Sequence, residues 1–369
     1  MKITKIELIK IEIPMKKPFT VSFGVIKKRP TVIVRVTTDE GYTGYGEGAS
    51  LPFPDYKPEA TDITYLVIHT YLSPLVLHKN FETIEEFVNL LSIVQGNTYA
   101  KTALENAVWM IFALKENKSL KTLLGGTKTE VPVGESVGIQ PSIEETVAEV
   151  EKSLNEGYQR IKIKIKPGWD IKVVEKIRNK FNEIQLMVDG NSGYTLRDTH
   201  IFQTLDKFNL TMIEQPLDGD DIIDHATLQK QIKTALCLDE SLNSKEDVRK
   251  ALEINACRIV NIKPGRVGGL LEAKKIHDYC MDKGIGVWCG GMLETGLGRA
   301  YNLAIASLPN YLYPADMSPA DVLFTDDILT DSISMDKRGF VKVPDQAGIG
   351  VEIDNKKLDR YTVDKIIME

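Results

Sequence analysis

From Gly126 onward, short apolar runs alternate with amphipathic stretches, and five ionisable residues stand at the ends of those runs at an almost constant step. They are Lys164, Asp189, Glu214, Asp239 and Lys263, separated by 189 − 164 = 25, 214 − 189 = 25, 239 − 214 = 25 and 263 − 239 = 24 residues. One strand, a loop, a helix and a returning loop consume about that length, so each residue falls at the same point of successive strand–helix units. The runs that read as strands are 131–136, 160–165, 184–189, 210–214, 235–239, 258–262, 285–288 and 311–315. Ser142-Ile-Glu-Glu145 is a capping box opening one intervening helix, and Ser244 caps another. Repeated units of this kind give a parallel sheet, and eight strands close into a barrel. The five ionisable groups then meet at the C-terminal rim, where barrel active sites lie.

The remainder of the chain has a different texture. Ile3, Ile6 and Leu8 begin an antiparallel pattern, Thr31 to Val36 is a strand, and Asp39-Glu40-Gly41 turns into another strand toward Tyr45. Residues 57–125 are helical: Ala103, Ala107, Met110, Ile111 and Leu114 recur at helical spacing. Gly125-Gly126 marks a boundary. The expected division is an α+β unit over 1–125, the barrel over 126–319, and a segment 320–369, with strand-like pieces such as Phe340 to Val343, returning to the first unit. A length of 369 residues accommodates two such domains.

Composition excludes several classes. A net charge of −6 argues against nucleic acid or an anionic membrane surface as partner. The N-terminal MKITKIELIKIEIPM alternates lysine with isoleucine, unlike a signal peptide, and no continuous apolar run long enough for a membrane helix occurs. Cys237, Cys257, Cys280 and Cys289 form no CxxC pair and have apolar neighbours, as buried reduced thiols do. These features lead to the expectation of a cytoplasmic protein.

Three carboxylates on adjacent strand ends would repel one another unless a cation lay between them. An all-oxygen donor set favours Mg2+, or Mn2+, over zinc, and none of the five histidines falls at a strand end. Lys162 and Lys164, two apart on one strand, share a face. A lysine beside another lysine and a metal shifts toward the neutral form and becomes a base. Lys263 arrives from the sixth strand, across the mouth from the second. Taken singly, an Ile/Lys alternation reads as a solvated strand face and Asp189-Gly-Asn191 as a turn. The joint spacing is what turns them into a site that removes a proton from the carbon beside a carboxylate.

At these residues the sequence resembles the enolase superfamily, in its muconate lactonizing enzyme subgroup. The motifs are Lys162-Ile-Lys164, Val188-Asp189-Gly-Asn191, Ile213-Glu214-Gln215-Pro216, Asp239-Glu240-Ser241 and Asn261-Ile-Lys263-Pro264. The resemblance implies a (β/α)7β barrel under an α+β capping domain formed by the N-terminal region and the C-terminal tail, usually in a homo-oligomer. It implies Asp189, Glu214 and Asp239 as Mg2+ ligands, Lys164 as the base on one face, tuned by Lys162, and Lys263 as acid, base or cation on the other. Asn191 and Glu240 would lie behind these groups. Capping loops 19–25 and 50–56 would bring Phe19, Phe23, Leu51 and Phe53 over the mouth.

Within the subgroup, the stretches Val133 to Ile139, Lys164 to Asp170, Lys263 to Gly269 and Gly290 to Gly296 are similar to those of o-succinylbenzoate synthases and N-succinylamino acid (N-acylamino acid) racemases. That similarity implies Ser136 and Asn261 in the pocket, the Gly291-Met292 backbone against a distal succinyl carboxylate, and Arg266 tuning Lys263. The implied reaction is syn loss of water from 2-succinyl-6-hydroxy-2,4-cyclohexadiene-1-carboxylate, a menaquinone-precursor step, with N-succinylamino acid racemisation as the alternative or second activity. Dipeptide epimerases of the subgroup carry Asp-x-Asp where this chain has Asp316-Met-Ser318, which counts against a dipeptide. Muconate cycloisomerase and dipeptide epimerase stay as lesser alternatives, the pocket motifs of cycloisomerases differing from the quoted stretches. The contrasting expectation is a barrel that binds a carboxylate without catalysis, which would need no lysines on both faces.

Overall fold

The computed structural model describes residues 1–21 and 24–369, with side chains described outside 17–26. Phe23 and the Phe19 side chain therefore lie outside the described residues.

β1 (Ile3–Val21), β2 (Gly24–Thr38) and β3 (Thr43–Gly48) form an antiparallel meander, and the C-terminal strand Thr362–Met368 adds to the outer edge of β1. Ile9, Ile11 and Ile13 are buried while Lys10 and Glu12 between them are partly exposed, the period expected of a sheet with one covered face. The cover is the helix Thr98–Lys115, whose Ala103 and Ala107 present almost bare backbone to β3. A Cβ on Gly46 would stand 1.9 Å from the Ala103 carbonyl oxygen and one on Gly44 2.0 Å from that of Ala107, so both glycines are required by the close approach. Glu59 accepts from the Thr98 and Tyr99 amides and caps the helix.

Seven parallel strands follow: Gly134–Val137, Arg160–Lys164, Leu186–Asp189, Ile213–Glu214, Leu236–Leu238, Ile259–Ile262 and Gly286–Cys289, hydrogen-bonded in chain order. These are counted first to seventh below. The eighth run, 311–315, makes only single bridges, Tyr311 to Val287 and Ala315 to Val133, and so joins the last strand to the first. Pro314 has no N–H to offer a regular ladder. The barrel closes through these bridges.

Two expectations change here. The run at 131–136 divides: Glu130–Pro132 pairs antiparallel with Phe340–Lys342, and only from Gly134 does the chain enter the parallel sheet. Phe340 to Val343 thus pairs at the entrance to the barrel rather than in the first sheet.

The equal spacing also has a more exact form. Lys164, Asp189 and Glu214 are direct cross-strand partners, but Glu214 lies opposite Cys237 and Cys237 opposite Ile259. Asp239 and Lys263 therefore stand two and four residues further along their strands than the ladder alone would place them. Strands in a barrel are tilted and staggered, and this offset keeps the residues at one rim.

Candidate active site

The second strand carries three inward cations, Arg160, Lys162 and Lys164, in order from the barrel interior to the rim. Each faces acid. Arg160 pairs with Asp316. Lys162 Nζ lies 2.5 Å from Asp316 Oδ2, 3.1 Å from Glu214 Oε2 and 3.5 Å from Asp189 Oδ2. Lys164 Nζ lies 2.6 Å from both Asp189 Oδ2 and Asn191 Oδ1. With a side chain 31% exposed, Lys164 is the open member of the group, while Lys162 and Arg160 are buried.

The Trp288 ring, on the seventh strand, lies 5.0 Å from the Arg160 guanidinium and 5.1 Å from Lys162 Nζ, a floor that accepts cations. Burial alone would pull Lys162 toward the neutral form, but Asp316, Glu214 and Asp189 outweigh it and hold its ammonium above the usual lysine range. This differs from the expectation of mutual lysine repulsion: the sequence pattern contained the two lysines but not Asp316.

Across the mouth, Lys263 Nζ donates to Asp239 Oδ2 at 2.7 Å and to the Tyr56 hydroxyl at 3.0 Å, and lies 4.5 Å from the centre of the Tyr56 ring. Tyr56 in turn donates to Asp239 Oδ1 at 3.0 Å, and Arg266 pairs with the same carboxylate. Burial lowers Lys263, yet Tyr56, Glu240 and Glu214 reverse the sign and push it above the usual lysine range. Arg266 is locked by bonds to the Leu242 and Asn261 carbonyls. Gly290 gives Lys263 its passage: a Cβ there would stand 2.6 Å from Lys263 Cε and 2.5 Å from Asn261 Oδ1.

The carboxylates between the lysines are buried. Glu214 accepts from Asn261 Nδ2 at 2.6 Å, and burial together with neighbouring Asp189 pushes its carboxyl upward. Burial also opposes the charge on Asp189, but Lys164 and Lys162 hold that group well below the usual carboxylate range. Asn191 donates to Glu240 at 3.1 Å, linking the third strand end to the fifth. Gln215, at φ 34°, accepts from the Asp239 amide at 2.9 Å and donates to Ser241 at 2.7 Å, so the left-handed turn after Glu214 orients the next carboxylate.

Among the described residues no three Asp, Glu, His or Cys side chains stand close enough together to hold one ion as arranged. Asp189 and Glu214 share Lys162, whereas Asp239 is turned to Lys263, Arg266 and Tyr56. The donor chemistry nevertheless fits a hard divalent cation. All three groups are buried oxygen donors, and lysine ammoniums stand where positive charge is needed.

The outer pocket residues are placed unevenly. Ser136 donates to Asp316 Oδ2 at 3.2 Å, beside Lys162. Leu51 packs with Tyr56 against Ala49, Tyr99 and Met292. Phe53 is half exposed. Met292 has both backbone groups engaged, its N–H by Glu294 Oε2 at 2.9 Å and its carbonyl by Arg29 at 3.2 Å. Contact of a distal carboxylate with the Met292 amide would have to displace Glu294.

Sequence reasoning missed Arg160, Asp316, Trp288 and Tyr56. Arg160 continues the Lys162/Lys164 alternation and was in principle visible. Tyr56 comes from a loop of the other sheet's domain, and no local pattern announces it.

The comparisons agree with this architecture. Residues 145–357 match the enolase C-terminal domain-like family, and residues 4–125 match the mandelate racemase/muconate lactonizing enzyme N-terminal domain. The chain is 43% identical over 352 residues to an o-succinylbenzoate synthase of Geobacillus kaustophilus, covering 95% of this chain and 94% of the relative. It is 41% identical over 367 residues to an N-succinylamino acid racemase of Amycolatopsis, covering 99% of each. A solved enolase superfamily member from Listeria innocua superposes with a TM-score of 0.97 at 42% identity, covering 100% of this chain and 99% of that one. By its domain matches, its full-length relatives and its fold, the chain belongs to the enolase superfamily.

Proposed function

We propose that the chain is a lyase acting as an o-succinylbenzoate synthase, with N-succinylamino acid racemisation as a second activity of the same site. The carrying observation is the pair of lysines on opposite sides of the mouth, Lys164 on the second strand and Lys263 beyond the sixth, with Asp189, Glu214 and Asp239 between them. Relatives bearing both names, at 39–44% identity, support both activities.

In this reading Asp189, Glu214 and Asp239 would hold Mg2+. Bound there, it would supply positive charge for a substrate carboxylate and so favour loss of the adjacent proton. Lys164, the exposed amine, takes that proton. Negative charge then develops on the carboxylate oxygens as an enediolate. Lys263, kept charged by its surroundings, stabilises it from the other side. Lys164 returns its proton to the departing hydroxyl on its own face, the C–O bond breaks, water leaves and the ring becomes aromatic. With an N-succinylamino acid there is no leaving group, and Lys263 donates to the opposite face instead.

Lys162 stays charged throughout and fixes the placement of Asp189 and Glu214. Residues 1–125 with the C-terminal strand Thr362–Met368 supply the cap, and 126–319 supply the barrel, with Phe340–Lys342 paired at its entrance. Among the described residues no helix is long and apolar enough to cross a membrane. The four buried free thiols support a reducing compartment, the cytoplasm.

The test is a side-by-side kinetic assay of both substrates, with and without chelation. Both activities are expected to vanish with EDTA and return with Mg2+. Turnover of neither substrate by metal-loaded protein would overturn the reading.

A further inference from the structure

Arg29 is fully buried at the start of the regular part of β2; every hydrogen-bond acceptor described for it is a backbone carbonyl, and the carboxylates of Glu47 and Glu294 lie near enough to favour its charge. On one side it donates to Ala49 at 2.8 Å and to Ser50 at 2.7 Å, where β3 leads into the capping loop. On the other it donates to Met292 at 3.2 Å and Leu293 at 3.3 Å, in the turn beyond the seventh barrel strand. It also bonds the carbonyl of Pro30 beside it.

The turn it holds is under strain. Leu293 has φ 58°, a left-handed conformation that a leucine rarely adopts unless its surroundings impose it. The other side of the turn is fixed as well. Glu294 accepts from the Met292 amide, Asn302 donates to Glu294 at 2.9 Å, and Arg299 donates to the Asp316 carbonyl at 2.9 Å. From the capping sheet, Glu47 accepts from Thr295 and Gly298 at the start of the following helix, and Arg29 holds the turn itself. Its planar fork reaches carbonyls in two directions, which a lysine's single ammonium on a flexible stem does not reproduce.

We propose that Arg29 is a positioning residue for substrate specificity: it spans the capping loop and the Gly291–Leu293 turn, and so sets the width of the pocket end that receives the substrate's chain remote from the reacting carboxylate. This rests on the reading given under Proposed function and on the placement that the family resemblance implies, with the succinyl chain against the Gly291-Met292 backbone. Arg29 touches none of Lys162, Lys164, Lys263 or the three carboxylates in the bonds described for it, so its effect should fall on substrate length rather than on proton removal.

The experiment compares wild type, Arg29→Lys and Arg29→Met on two substrates with the same amino acid, one N-succinyl and one N-acetyl. Hydrogen–deuterium exchange over 49–56 and 290–294 is followed in parallel. With Arg29→Lys, kcat/KM for the succinyl substrate is expected to fall about tenfold or more, chiefly through KM, since two or more charge-assisted bonds are lost. The acetyl substrate should lose less than about threefold, and both segments should exchange faster together. Arg29→Met should repeat the pattern more strongly. Equal losses on both substrates would reduce Arg29 to a folding residue and overturn the proposal, as would unchanged kinetics. If wild type turned over neither substrate, the functional reading would fail. The exchange data would still decide the linkage, and protection unchanged in either segment would refute it.

Discussion

Lys162 Nζ and Asp316 Oδ2 stand 2.5 Å apart, so the second barrel strand is tied by charge to the segment that closes the barrel. Asp316 also binds Arg160 and accepts from Ser136. Burial disfavours its charge, yet Arg160 and Lys162 hold it well below the usual carboxylate range. Asp316→Asn would leave two buried cations short of an anion. The expected loss of stability is about 3–5 kcal/mol, the range for breaking one side of a buried ion pair, read as a lowered urea midpoint. A midpoint unchanged from wild type would mean that the pair carries no weight.

The Tyr56 hydroxyl joins Lys263 to Asp239 while its ring lies against the Lys263 ammonium. Tyr56→Phe keeps the ring and removes the bridge. We expect kcat/KM to fall by about tenfold on both substrates, the loss of roughly one charge-assisted hydrogen bond. The racemase activity, which needs Lys263 to deliver a proton, should fall further than the dehydratase. Equal rates for variant and wild type would show that the bridge is dispensable.

Gly290 borders Lys263 and Asn261 so closely that a methyl group must displace one of them. Gly290→Ala is therefore expected to lower kcat by about a hundredfold, as misplacement of a reacting group by an ångström does. Gly138→Ala makes the control, since a Cβ there meets nothing within 4 Å. Similar kinetics in the two variants would contradict the tight passage described for Lys263.

Glu105 concerns stability rather than chemistry. It is buried on the helix Thr98–Lys115, accepts from the Trp109 indole at 3.0 Å and caps a barrel helix through the Leu271 amide at 2.7 Å. Burial pushes its carboxyl up to about 7 from 4.5. A group with a raised folded value binds more protons folded than unfolded, so the contribution of Glu105 to stability falls as pH rises from about 4.5 to about 7 and is constant on either side. The span is about 3 kcal/mol. Glu105→Gln preserves an acceptor for both bonds and should flatten this part of the stability–pH curve. An unchanged slope would assign the dependence to other groups.

Much of this site was legible because one strand–helix unit has a nearly fixed length. Lys164, Asp189, Glu214, Asp239 and Lys263 declare themselves by spacing, and the Lys162/Lys164 alternation gives their shared face. What the spacing hides is stagger: the ladder places Asp239 and Lys263 two and four residues beyond the level of Glu214, and only the tilt of a closed sheet realigns them. Asp316 escaped for a related reason. It follows a run interrupted by Pro314, which forms single bridges rather than a ladder. The motif Asp316-Met-Ser318 is informative in sequence for the second aspartate missing at 318, which says nothing of the role of Asp316. Tyr56 and Arg29 act between domains, and no periodicity within one segment encodes a partner more than 180 residues away. The Glu130–Pro132 pairing with Phe340–Lys342 is hidden by the same distance.

The central claim is that Lys164 removes the proton beside a carboxylate and Lys263 serves the opposite face. Its most direct measurement is Mg2+-dependent exchange of the α-proton in D2O, followed separately for each enantiomer of an N-succinylamino acid, with the dehydration rate measured alongside. Lys164→Ala is expected to abolish dehydration and stop exchange of the enantiomer whose proton faces Lys164. Lys263→Ala should stop exchange of the other enantiomer. Dehydration at the wild-type rate in Lys164→Ala protein, or equal exchange of both enantiomers in that variant, would contradict the account.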